Sequence, residues 1–171
     1  MKIKTSKFKI FITIFILILW LVLSFVFLLS KINSHYGLFT EKENFNFKSY
    51  ENAQLSSLNL NNEGFNLIHI RDKGCFCNKL TEKHINLINK ENNSIKNLYV
   101  SKDNIEKRLN INIPATPMLL IIKKNKILYA GAYSTGTTCS IDNSLIKQFF
   151  DRNYVYYDTV FSGEIRTCRC V

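Results

Sequence analysis

Five cysteines carry the chemistry that this sequence offers, in three places: Cys75 and Cys77, Cys139, and Cys168 and Cys170. The first pair follows a short apolar run, Leu67-Ile68-His69-Ile70. It precedes Leu80, His84, Leu87 and Ile88 at helical spacing, which puts both thiols where a strand hands over to a helix. Unpaired N–H groups and the positive end of the helix dipole favour thiolate over thiol there. Cys75, the earlier on the entry loop, is the expected nucleophile and Cys77 its resolving partner. A disulfide within Cys75-Phe76-Cys77 would be cramped, since relaxed geometry wants Cα atoms about 5.5 Å apart. Such a bond suits passing oxidation on better than storing it. The plainer alternative is an inert staple joining Cys75 or Cys77 to another of the five.

Three uses compete for Cys168-Arg169-Cys170. The tail could exchange with Cys75 and Cys77 as an internal shuttle, act as a structural clasp, or complete a thiolate metal site. For the metal site the candidate ligands are Cys75, Cys77, Cys139, Cys168 and Cys170, a set that suits Zn²⁺ or Cu(I); otherwise no cofactor is expected. The odd cysteine count leaves one thiol free, or paired between chains, unless metal takes more than two. His84, on the apolar face of the helix, reads first as a packing residue; its functional alternatives are stabilising a thiolate or ligating metal. His69 reads as structural and His35 as solvated. Arg71 and Lys73 would lower a neighbouring thiol's pKa, and Asp72 would raise it. No Ser-His-Asp order, phosphate-binding glycine loop or paired-carboxylate motif occurs, so hydrolase and nucleotide chemistry fall away.

These residues need a scaffold, and the chain supplies alternating elements from Gly64 onward. A strand over 65–71 leads to a helix over 78–90, a polar turn over 91–94 and a strand over 96–101. A short helix follows to about Leu109, capped by Ser101 or Asp103. After Pro114 and Pro117 come the apolar run Met118 to Ile122, a tight turn at Lys123 to Lys126 using Asn125, and a strand from Ile127 to Tyr133. Leu145, Ile146, Phe149 and Phe150 predict a last helix from about Asn143 to Asn153. This order implies an α/β domain with one central sheet, part parallel and part hairpin, flanked by helices.

Ahead of it, Ile10 to Ser30 is uncharged over 21 residues, long enough to cross a bilayer as a helix. Four lysines precede it and mixed charges follow, so residues 1–9 are expected inside and the rest outside the cytoplasm. A cleaved signal peptide is the rival reading, disfavoured by the length of the apolar stretch and the absence of a small-x-small site. Trp20, mid-span, has no assigned role. Residues 31–62 read as a juxtamembrane linker with one short helix around 49–58. The expected divisions are thus 1–9, 10–30, 31–62, a domain over 63–154, and an extension over 155–171. The net charge of +10 is no nucleic-acid signal. Lys2, Lys4, Lys7, Lys9 and Lys31, which flank the apolar stretch, carry half of it, and no nucleic-acid motif accompanies the rest.

Over residues 64–154 the sequence resembles the thioredoxin-fold superfamily. The segment Thr116-Pro117-Met118-Leu119-Leu120-Ile121-Ile122-Lys123-Lys124-Asn125 is similar to that fold's cis-proline and hairpin. Gly131-Ala132-Tyr133-Ser134-Thr135-Gly136 with Ile146-Lys147-Gln148-Phe149-Phe150 is similar to its last strand and helix. Within the superfamily, the chain most resembles membrane-anchored bacterial thioredoxin-like proteins with Cys-x-Cys at the active-site position, a further cysteine after the last strand and a Cys-x-Cys tail. It departs from thioredoxin in its closer pair, in lacking a preceding Trp, and in an insertion, Thr137 to Asn143, bearing Cys139. The resemblance implies a cis Pro117 whose loop faces the cysteines, with Thr116 backbone groups pairing an extended substrate chain. It further implies thiol–disulfide oxidoreductase activity on envelope proteins bearing thiols or disulfides, from a single-pass position in the inner membrane with a periplasmic domain. Two alternatives stand beside it: a Cu(I) or Zn²⁺ metallochaperone using the same thiolates, and a structural protein with permanent disulfides.

Overall fold

The computed structural model describes residues 3–40, 45, 48–91, 95–151 and 158–171. It falls into two units, Met1–Ser34 and His35–Val171. The first is the body of a helix, α1 (Ile3–His35), within which Phe8–Lys31 is long and apolar enough to cross a membrane. The apolar side chains from Phe8 to Leu29 are exposed, Trp20 among them.

The second unit is built on a five-stranded mixed sheet of β2 (Phe65–Arg71), β3 (Lys96–Ser101), β4 (Met118–Lys123), β5 (Lys126–Gly131) and β6 (Val160–Ser162), in the order β3-β2-β4-β5-β6. β2 runs parallel to β3 and antiparallel to β4. β4 and β5 form a hairpin, and β6 returns parallel to β5. The near-continuous apolar runs of β2 and β4 reflect burial on both faces. Alternation then sorts their side chains. Ile68, Ile70, Leu120 and Ile122 join Ile105 and Leu109 of α4 (Lys102–Leu109) on one side. Leu67, Leu119 and Ile121 join Ile85 and Ile88 of α3 (Cys77–Glu91) on the other. The β4–β5 turn holds both Lys124 and Asn125 at positive φ, the conformation that suits a two-residue hairpin between twisted strands. Ser101 is the N-cap of α4, with no side-chain bond to the helix, and left-handed Asn110 ends it.

Several sequence expectations change. The helix expected over 143–153 is replaced by two short 3-10 turns, Ile141–Asn143 and Lys147–Phe150; residues 152 and 153 lie outside the described residues. Ile146 and Phe149 are buried all the same. Their three-residue spacing serves a 3-10 turn as well as an α-helix, and a bridge between Ser134 and Ser144 draws the chain out ahead of it. The single helix expected over 49–58 is α2 (Lys48–Glu51) and a 3-10 turn at Leu55–Ser57. Residues 92–94 of the expected polar turn, and 41–44, 46 and 47 of the expected linker, lie outside the described residues. The sheet is not alone. β1 (Tyr36–Leu38) and β7 (Arg166–Cys168) pair antiparallel in a separate two-stranded sheet, so segments read as linker and extension meet in space.

Candidate functional site

α3 begins at Cys77, and Cys75 sits in the turn that opens it. The N–H of Asn78 donates to the Cys75 carbonyl at 3.2 Å, and Gly74, at φ +84°, lets the chain turn out of β2. Asp72 ties this corner to the proline loop. It accepts from Thr116 Oγ1 at 3.1 Å, while its backbone carbonyl accepts from Asn78 Nδ2 at 2.8 Å. The Thr116–Pro117 bond is cis, and Cys75 Sγ lies 3.7 Å from the Thr116 carbonyl oxygen. Cys75, Cys77, Thr116 and Pro117 are thereby brought to one corner of the sheet.

The tail completes that corner. Cys75 is bonded to Cys170 and Cys77 to Cys168, across sequence separations of 95 and 91 residues, so the two Cys-x-Cys segments are joined by antiparallel rungs. Neither disulfide lies within a segment, and the cramped Cys75–Cys77 bond is not formed. Backbone pairing holds the tail independently of sulfur. The Thr116 N–H donates to the Cys170 carbonyl at 2.9 Å, the Cys170 N–H donates back to the Thr116 carbonyl at 2.6 Å, and the Arg169 N–H donates to the His35 carbonyl at 2.8 Å. β1 and β7 extend the pairing, with Tyr36 opposite Cys168. Cys77 and Cys168 are buried. Cys75 is 8% exposed and Cys170 half-buried, so the Cys75–Cys170 bond is the more accessible of the two; Phe76, between the helix-mouth cysteines, is 56% exposed.

Cys139 is the free cysteine, buried in the same cluster as Cys75, Cys77 and Cys168. The tail brings it there. Gly136 and Cys168 exchange backbone bonds with the tail and the loop respectively, and Thr167 Oγ1 donates to the Ser134 carbonyl. Burial pushes the Cys139 thiol pKa up, with partial offset from hydrogen bonds to Ser134, Thr167 and the Cys168 backbone. That burial disfavours the thiolate at Cys139.

His84 and His69 are packed in the interior, as the sequence first suggests, and His35 is not in the solvated position expected of it. His84 Nε2–H donates to the Cys139 carbonyl at 2.9 Å, so that nitrogen is committed to backbone. Burial lowers its pKa. His69 is fully buried in β2, accepting from the Tyr133 hydroxyl at 2.6 Å and donating to Asn97 Oδ1 at 2.8 Å. Desolvation lowers its pKa to about 4. His35, read as solvated, instead enters the sulfur cluster: half-buried, its Nδ1 lies 3.9 Å from Cys170 Sγ, its carbonyl oxygen 3.8 Å from Cys77 Sγ, and its ring packs near Phe76. No local pattern could have signalled this, because the contact depends on β1 pairing with a strand 130 positions away. Arg71 is engaged with Tyr99 and Glu82, and Lys73 is exposed.

Chemically, the cluster offers two kinds of reactivity. The Sγ atoms of Cys75, Cys77 and Cys170 lie within 4.8 Å of one another, close enough for exchange among themselves or, when reduced, for a shared metal. A family model described as a domain of unknown function, DUF6436, matches residues 43–171. No curated protein and no solved structure matches the chain.

Proposed function

The chain belongs to the DUF6436 family, and from that starting point we propose that it is a thioredoxin-like thiol–disulfide oxidoreductase. Residues 10–30 would hold it in the bacterial inner membrane, with its N-terminus inside and its sheet domain in the periplasm. One observation carries the proposal: a helix-mouth cysteine, Cys75, faces a cis-proline loop whose backbone already pairs with an extended, cysteine-bearing segment. The segment is the chain's own tail, which takes the place of the substrate chain that the thioredoxin resemblance implies.

The reaction follows from the Cys75–Cys170 bond. A substrate thiolate attacks Cys75 Sγ, forming a mixed disulfide and releasing Cys170 as thiolate. A second substrate thiolate attacks the substrate sulfur of that bond, and Cys75 leaves. The substrate gains a disulfide, the protein gains two thiols, and two electrons have moved. In the reverse direction the Cys75 thiolate, favoured at the helix mouth, attacks a substrate disulfide, and Cys170 or Cys77 resolves it.

The test uses the full-length chain in detergent, reduced, then offered a model peptide containing one disulfide. Cys77→Ser with Cys170→Ser removes both resolving thiols and should accumulate a peptide adduct on Cys75. Adding Cys75→Ser should abolish the adduct. Equal capture with and without Cys75, or none under both oxidising and reducing conditions, ends the exchange reading. Resistance of both disulfides in the unmutated chain to mild dithiol would favour the structural alternative. The metal reading is supported by the three clustered sulfurs.

A further inference from the structure

We propose that the reduced chain holds one Zn²⁺ ion on Cys75, Cys77, Cys170 and His35. The sulfurs of the three cysteines lie within 4.8 Å of one another. The fourth ligand is assigned to His35, whose Nδ1 is 3.9 Å from Cys170 Sγ and outside the mutual spacing of the three sulfurs, so that its ring must swing toward them. Tetrahedral zinc, with Zn–S about 2.3 Å and Zn–N about 2.0–2.1 Å, sets neighbouring sulfurs about 3.8 Å apart and sulfur to nitrogen about 3.6 Å apart. The three sulfurs therefore need shifts of about 1 Å or less; the freed Cys75 and Cys170 sulfurs relax apart toward the spacing that the ion requires, and the His35 ring turns inward to meet it.

The donor set is selected by what each side chain already does. His84 spends Nε2 on the Cys139 carbonyl, and His69 spends both nitrogens on Tyr133 and Asn97. His35 is the histidine of this sequence whose ring nitrogen faces a cysteine sulfur. Cys168, like His35, lies outside the group of three; it is buried, and a fourth thiolate would add a negative charge that a neutral imidazole does not. Cys139 is held at its own hydrogen-bond partners.

Reduction does not dismantle the frame. Cys170 remains paired to Thr116, Arg169 to the His35 carbonyl, and β1 to β7, all through backbone hydrogen bonds. Cys75 and Cys77 remain at the start of α3. Three thiols gathered in a largely buried corner cannot ionise together without a cation, and Zn²⁺ supplies it. A dithiol reductant delivers two electrons and two protons to each disulfide and leaves as its own disulfide. Zinc then displaces the protons of Cys75, Cys77 and Cys170, while neutral His35 gives its Nδ1 lone pair. A disulfide oxidant that accepts two electrons for each cysteine pair, and leaves as a dithiol, re-forms the two rungs and expels the ion.

The experiment titrates Zn²⁺ against a competing chelator with full-length chain in detergent, reduced by a non-thiol phosphine without oxygen. One ion per chain is expected when reduced and none when oxidised. Cys170→Ala should abolish stoichiometric binding, His35→Ala should weaken it at least tenfold, and His84→Ala and Cys168→Ala should leave it unchanged. Cobalt substitution and X-ray absorption on the unmutated chain give the same answer without relying on any variant's folding: three sulfurs and one nitrogen are expected. Four sulfurs, equal affinity in His35→Ala, loss in His84→Ala, or no stoichiometric binding overturns the proposal. None of these readouts involves peptide capture, so this proposal and the exchange reading can fail separately.

Discussion

The centre of the large sheet and the sulfur-joined corner are held by opposite means. In β4, Met118, Leu119, Leu120, Ile121 and Ile122 are fully buried, with helices or their connections covering both faces. Each such side chain contributes about 1.5–3 kcal/mol by leaving water, so the strand needs no covalent help. β1 and β7 are three residues each, and Thr167 and Cys168 are the buried members of β7. That is little apolar area for two segments so distant in sequence; backbone hydrogen bonds set their register, and the two disulfides add the stability that packing does not. Packing is indifferent to the redox state of the surroundings. The clasp is not, and it lies at the place where the chemistry is proposed.

The largest test of this contrast is to remove both rungs. In the loop-closure account a cross-link over about 100 residues contributes about 4.7 kcal/mol, while a second one beside it closes a ring of about six residues and adds about 2 kcal/mol. Cys168→Ala and Cys170→Ala should each cost about 2 kcal/mol in urea unfolding, and the pair about 7 kcal/mol. A double variant that merely sums the singles would break the nested-rung picture. Next, Leu120→Ala should cost about 2–5 kcal/mol, and by the same amount in oxidised and reduced protein. A cost that depends on reductant would mean that core and clasp are one cooperative device.

A pH effect separates the regions further. The folded pKa of His69 lies below its unfolded value, so between about 4 and 6.5 the unfolded chain binds a proton that the native chain does not. Its contribution is therefore present above pH 6.5 and is lost as pH falls through that window, by about 3 kcal/mol in all. His69→Gln should flatten the acid limb of stability measured by urea titration. An unchanged limb would move the effect to another group, with His84, also lowered by burial, the first to examine. The smallest effect concerns Cys139. Cys139→Ala should change stability by about 1 kcal/mol, leaving both disulfides intact by mass-spectrometric mapping. In the unmutated folded chain its thiol should alkylate much more slowly than after denaturation.

The two regions also differ in how far the sequence announces them. β2, β3 and β4 are legible because their apolar runs are local and bounded by Gly64, Gly74 and Pro117. The helix mouth at Cys75 and Cys77 is legible for the same reason: a strand pattern gives way to a helical one within a few residues. The corner is not. β1 and β7 are too short for periodicity to register, and their partnership joins residues 36–38 to 166–168. Four of five cysteines pair, but nothing in their spacing selects Cys75 with Cys170 over Cys75 with Cys168. His35 is misplaced by the sequence, and His84 is not, for a related reason. His84 lies on a helix whose faces can be drawn from sequence, whereas the neighbours of His35 arrive from the far end of the chain.

The order of attachment at this corner also has a mechanical meaning. β1 follows α1 directly, its strand partner is β7, and β7 is joined through sulfur to the first residue of α3. Tension applied at residue 35 would load the short ladder in shear and, through the Cys77–Cys168 bond, the start of α3. With the rungs closed, β7 cannot follow β1, so the ladder itself must yield. With them open, both strands travel together and carry the tail away from Thr116, uncovering Cys75.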